Sequence, residues 1–250
     1  MRSAELSPVA GLVLAAGGGR RLGGPKALLE VNGVPLIERA VATARDGGCD
    51  PVVVVLGASA ERVRAEAKLD GAVVVVNKAW STGMGSSLRV GLAALADTEA
   101  QCALVLLVDM PGVTGAAIRR IAALPYPDAL VCATYDGRRG HPMLLGREHW
   151  AGITTLATAD VGARPYLLAH KTEVLEIACD DVADGADIDT PEDAARWGIS
   201  LPAGAQADTA ATGSQPGPHA VTGIPRPQAP AAAAVPPRPP GSRPSPRPRR

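Results

Sequence analysis

The run Gly11-Leu12-Val13-Leu14-Ala15 and the loop that leaves it, Ala16-Gly17-Gly18-Gly19-Arg20-Arg21-Leu22-Gly23-Gly24-Pro25-Lys26, decide how this chain is read. The run is apolar throughout and shows no polar alternation, the pattern of a strand covered by helices on both faces. Similar runs recur at Val52–Leu56, Ala72–Val76, Leu104–Val108 and Ala129–Ala133. Between them lie stretches with helical spacing, at Leu36–Ala44, Glu61–Leu69, Ser86–Ala96 and Ala116–Leu124. Strands alternating with helices predict one α/β domain with a Rossmann-like, mostly parallel central sheet and right-handed crossovers. Ligands in such sheets bind beyond the carboxyl ends of the strands, near the point where strand order reverses. The loops after the strands are therefore where chemistry is expected.

The composition narrows the function. The chain has 250 residues, 46% hydrophobic and 20% charged, and no apolar run long enough to span a bilayer. Its N-terminus makes a poor signal peptide, because a short apolar stretch runs straight into glycines. Residues 202–250 hold 13 Pro, 11 Ala, six Arg and one acid, Asp208. That segment is expected to be a disordered tail after a globular domain of residues 1–201. The other 19 basic and 24 acidic side chains leave 1–201 with a net charge of −5. A mildly acidic domain with 2% aromatics argues against nucleic acid as partner. Cys49, Cys102, Cys132 and Cys179 are far apart, form no CxxC pair, and are expected to be inert thiols in a reducing cytoplasm.

The loop after the first strand fits neither familiar phosphate template. A GxGxxG fingerprint starting at Gly17 fails at Leu22, and a Walker A pattern from Gly19 to Gly24 fails at Pro25 and Ala27. What remains is a glycine loop carrying Arg20, Arg21 and Lys26, suited to a polyphosphate by close backbone approach and positive charge. Asp109, in Leu107-Val108-Asp109-Met110-Pro111, ends a buried run where a carboxylate meets Mg²⁺ and phosphates. Thr190-Pro191-Glu192-Asp193 reads as a helix start, with a Thr cap, Pro in the first position and acids in the first turn. That role leaves Asp187 and Asp189, just upstream, unexplained. In Trp80–Leu88, free backbone donors and serine hydroxyls at a helix N-terminus offer hydrogen bonds to an anion or a base edge.

Taken together and in order, these segments resemble the MobA-like nucleotidyltransferases, most of all the molybdenum cofactor cytidylyltransferases. Leu14-Ala15-Ala16-Gly17, then Arg21-Leu22-Gly23 and Lys26, match the LAAGxSxRMGxxK loop, with Gly19 in place of its Ser. Asp109 matches the LxDxP motif. Gly185–Asp193 matches a DIDTPED segment, and Gly85-Ser86-Ser87-Leu88 lies in a GxxSSL segment. Arg139-Gly140-His141-Pro142 matches an RGHP element, and Asp160–Arg164 a GDxGAR segment with Ala159 for its leading Gly.

The resemblance implies transfer of CMP from CTP to the terminal phosphate of molybdopterin, with pyrophosphate released. Ala16 points to CTP, because guanylyl members carry LAGG. Leu14, Ala15, Ala16, Gly17, Gly85, Ser86 and Ser87 would bind the nucleotide. Arg21 and Lys26 would hold its phosphates, and Asp109 would share Mg²⁺ with Asp189, preferred over Asp187. Arg139, His141 and Arg164 would receive the pterin-phosphate acceptor. A molybdoenzyme or its maturation factor is the protein partner considered for the tail. Two alternatives stand beside this reading: a sugar-phosphate or similar acceptor on the same fold, and an NAD(P)H-dependent oxidoreductase of the nicotine blue type.

Overall fold

The computed structural model describes residues 8–201; the amino terminus and the 202–250 segment lie outside the described residues. The chain alternates as the sequence predicts. β1 (Val9–Ala15) leads through two short 3-10 turns into a small antiparallel hairpin of β2 (Glu30–Val31) and β3 (Val34–Pro35). Then come α1 (Leu36–Asp46), β4 (Val52–Leu56), α2 (Ala60–Glu66), β5 (Val73–Val76), α3 (Met84–Leu95) and β6 (Cys102–Leu107). The second half runs α4 (Gly115–Ile121), β7 (Leu130–Tyr135), β8 (Arg138–Gly146), α5 (Trp150–Leu156), α6 (Arg164–Ala169), β9 (Leu175–Ala178) and α7 (Pro191–Arg196).

Seven strands form one sheet in the order β5-β4-β1-β6-β8-β7-β9, parallel except for β8. From β1 the chain first builds outward through β4 and β5, then crosses back to place β6 on the other side of β1. The order therefore reverses between β1 and β6, whose registered residues include Leu14 and Leu107. The carboxyl ends of these two strands carry the glycine loop and Asp109. Helices cover both faces, which is why β1, β4 and β6 are buried almost without exception. α3 crosses close over β1 because Gly91 has no side chain; a Cβ there would stand 2.4 Å from Leu12 Cδ1. No helix among the described residues is long and apolar enough to cross a membrane.

Two expectations need correction, and one strand was not anticipated. The Ala72–Val76 run was read as buried on both faces, but β5 is an edge strand, with Val73 50% and Val76 37% exposed. The helical spacing of Glu61–Leu69 ends early, at Glu66. The Arg138–Leu144 stretch, read for its motif alone, is the first part of the antiparallel strand β8, held between β6 and β7. Pro142 cannot donate to a ladder, and the β7–β8 register shifts beside it, between Cys132 and Ala133. The four cysteines are buried and unpaired, and burial pushes the thiols of Cys49, Cys102 and Cys132 up to about 12, as inert thiols require.

Candidate active site

The glycine loop is more ordered than its composition suggests. Leu22 and Gly24 both donate their N–H to the Gly19 carbonyl, at 2.9 and 3.3 Å, folding the loop back on itself. Gly19 adopts φ 57°, and a Cβ there would lie 1.9 Å from the Gly24 carbonyl oxygen, so only glycine fits. Leu22 is fully buried and pins the turn to the core, while Arg20 and Arg21 point outward and are exposed. Pro25 then opens a second short turn that begins at Lys26.

Lys26 reaches across to two carboxylates. Its Nζ donates to Asp109 Oδ2 at 2.7 Å and to Asp189 Oδ1 at 2.5 Å. Asp109 lies just past β6, after Val108, whose N–H still donates to the Leu14 carbonyl, so strand pairing holds up to the acid. Asp189 arrives from far along the chain. The buried Ile188 donates its N–H to the Asp109 carbonyl at 3.0 Å, which sets the two acids side by side. Just beyond, Thr190 caps α7 in a reciprocal capping box with Asp193, and Asp193 also accepts from the Asp189 N–H. The helix start read from the sequence thus orients Asp189. Burial alone would lower the Lys26 pKa, but the charges and hydrogen bonds of Asp109 and Asp189 outweigh it and hold it above its ordinary value.

Two hard carboxylate oxygens converging on one cationic atom fit a Mg²⁺- or Mn²⁺-type ion. No group of three or more metal-ligating side chains occurs among the described residues. Further coordination would come from water and phosphate oxygens, as is usual for Mg²⁺. Asp189, preferred over Asp187 from the resemblance, shares Lys26 with Asp109.

The other predicted residues are placed as follows. Leu14, Ala15 and Ala16 are buried at the end of β1, and Gly17 is exposed beyond them. Gly85, Ser86 and Ser87 lie in the first turn of α3 and are buried. The serine hydroxyls face inward: Asn77 donates its side-chain N–H groups to Ser86 at 2.7 Å and to Ser87 at 3.0 Å. Ser86 in turn donates to the Ala79 and Gly83 carbonyls. The Met84 N–H at the same helix end donates to Asp160. Arg139 pairs with Glu176 of β9 at 2.6 Å. His141 lies in β8, where its carbonyl accepts from the Tyr135 hydroxyl, and Arg164 is exposed as the first residue of α6.

Two residues of this end of the sheet received no role from the sequence. Asn77 is 1% exposed and ties the end of β5 to the start of α3. Its signal was its place directly after an apolar run. Trp80 packs over the glycines, with its ring 3.7 Å from where a Cβ on Gly18 would stand and its Cβ 2.5 Å from one on Gly57.

A glycine loop and paired acids at the switch point of a doubly wound sheet are the architecture of a nucleotidyltransferase domain. The chain belongs to the MobA-like NTP transferase domain family, whose model matches residues 11–174. It is 42% identical over 200 residues to nicotine blue oxidoreductase from Paenarthrobacter nicotinovorans, covering 77% of this chain and 97% of that protein. A probable molybdenum cofactor guanylyltransferase from Opitutus terrae is 36% identical over 116 residues, 46% of this chain and 54% of its own length. Among solved structures, Rv0371c from Mycobacterium tuberculosis H37Rv, in complex with manganese, superposes with a TM-score of 0.64 at 30% identity, covering 76% of this chain and 97% of that one.

Proposed function

We propose that residues 1–201 form a catalytic unit that transfers CMP from CTP to the terminal phosphate of molybdopterin. Lys26 held between Asp109 and Asp189 at the switch point is the observation that carries this reading. An oxygen of the acceptor phosphate attacks the α-phosphorus of CTP, the bond to the bridging oxygen breaks, and pyrophosphate leaves. The attacking oxygen is already anionic near neutral pH, so no general base is required. Catalysis then reduces to positioning and charge neutralisation. Arg21, exposed on the loop, and Lys26, once drawn from the two acids, would neutralise the β- and γ-phosphates, where charge accumulates on the leaving group. Asp109 and Asp189 would hold a divalent cation, which when bound supplies further neutralisation of the phosphates. That the similar Rv0371c was solved in complex with manganese supports a divalent cation in this reading.

Gly85, Ser86 and Ser87 remain the proposed nucleotide contacts at the start of α3, where Asn77 fixes the two serine hydroxyls. Arg139, His141 and Arg164 remain the proposed acceptor contacts, with Arg139 exchanging its Glu176 partner for phosphate.

A second reading is favoured by one observation. The relative that matches over nearly its whole length is named an oxidoreductase, so reduction of a heterocycle by NAD(P)H on this same fold is the competing function. Thermal melting with Mg²⁺ and CTP, GTP, ATP or NADPH separates the two. A ligand at a hundred times its Kd stabilises the native state by about 2.7 kcal/mol, roughly 5–10 °C for a domain of this size. CTP alone among the four is expected to raise the midpoint. A rise with NADPH and none with CTP would replace cytidylyl transfer by the oxidoreductase reading.

A further inference from the structure

Lys26 occupies the place between the two carboxylates. Its Nζ lies 2.7 Å from Asp109 and 2.5 Å from Asp189, and the side chains of Lys26, Asp109 and Asp189 are only 17%, 13% and 27% exposed. Water therefore screens the pairs weakly. A divalent cation held by those same two oxygens, Asp109 Oδ2 and Asp189 Oδ1, would compete with the ammonium for them. An ammonium cannot keep hydrogen-bond distance to both oxygens with a dication between them, because like charges so close repel strongly in a poorly hydrated site. One of the two cations has to leave.

The local structure lets the lysine go without refolding. Pro25 and Ala27 on either side are buried, and the Leu29 N–H holds the Lys26 carbonyl at 3.0 Å, so the backbone is fixed. The four-carbon stem alone can swing. Its root is the far end of the glycine loop, so the ammonium released from the acids remains beside the loop.

We propose that Lys26 is the resident counter-ion of the metal site, seated between Asp109 and Asp189 and displaced toward the triphosphate when a divalent cation enters. The inference rests on the reading of Asp109 and Asp189 as metal ligands. It makes metal and nucleotide binding depend on one side chain: the metal must break two ion pairs to enter, and a triphosphate gives the displaced ammonium a new partner. Each ligand therefore favours the other through Lys26.

The test follows the lysine itself. The chain has four lysines, Lys26, Lys68, Lys78 and Lys171, so ¹³Cε-lysine labelling of the full chain gives four signals, with Lys26 assigned by its loss in Lys26→Met. Titration with Mg²⁺ alone should move the Lys26 signal toward the position of a solvated lysine and leave the other three in place. In parallel, Mn²⁺ binding followed by electron paramagnetic resonance should be at least about tenfold tighter in Lys26→Met than in wild type, since a competing charge is gone, and should be lost in Asp189→Asn. Mn²⁺ binding that is lost in Asp189→Asn but equal in wild type and Lys26→Met, with an unmoved Lys26 signal, would overturn the displacement while leaving the metal site standing. Failure of Mn²⁺ to bind any of the three folded proteins would overturn the ligand assignment and the displacement together.

Discussion

Asp109→Asn is expected to lower Mg²⁺-dependent turnover by about 10²-fold or more, the scale on which an electrostatic partner of the transition state acts, while leaving the fold intact. The reasons are local. The backbone carbonyl of Asp109, which receives the Ile188 N–H and anchors the acidic segment, is unchanged by the substitution. An amide oxygen still accepts from Lys26, and Asp189 still pairs with it. What disappears is the negative charge at the end of β6, and with it half of the pair that would hold a divalent cation. The checks are initial rates at saturating Mg²⁺ beside a melting curve. Turnover within a few-fold of wild type, with melting unchanged, removes Asp109 from the mechanism.

Lys26→Ala is expected to weaken CTP binding by roughly 10- to 100-fold at saturating Mg²⁺, because one charge-assisted contact is worth about 1.5–3 kcal/mol and 1.4 kcal/mol is tenfold in Kd. Calorimetric titration with CTP measures the loss directly. Unchanged affinity would mean that the loop does not hold the triphosphate. Because the metal alone is expected to bind more tightly without this lysine, the two ligands should respond to its removal in opposite directions.

How much of this could be read from the sequence depends on how local each signal is. β1, β4 and β6 are apolar without interruption because both faces are covered, so their runs were visible and their ends nearly correct. β8 was hidden by Arg138, Arg139 and Pro142, which break the apolar pattern, and its pairing depends on a register shift that no local rule predicts. β9 was missed because Leu175–Ala178 lies at the sheet edge with mostly exposed side chains. In the site, Asp109 was legible from its place at a strand end. The joining of Lys26 to Asp109 and Asp189 was not, since the partners lie 83 and 163 residues away and meet through the Ile188–Asp109 backbone bond. The family resemblance brought Asp109 and Asp189 together as metal ligands but assigned Lys26 to the phosphates. The serines show the opposite case: Ser86 and Ser87 were noticed for their hydroxyls, and folding turned those hydroxyls toward Asn77.

The central claim is nucleotidyl transfer, and it is tested most directly by measuring pyrophosphate released when CTP, Mg²⁺ and molybdopterin are mixed with the full-length protein, with NAD(P)H oxidation followed in a parallel sample offered a heterocyclic acceptor. The account predicts pyrophosphate in proportion to CMP incorporated, dependent on the acceptor and on Asp109, and no oxidation of NAD(P)H. Acceptor-dependent NAD(P)H oxidation without pyrophosphate would contradict it.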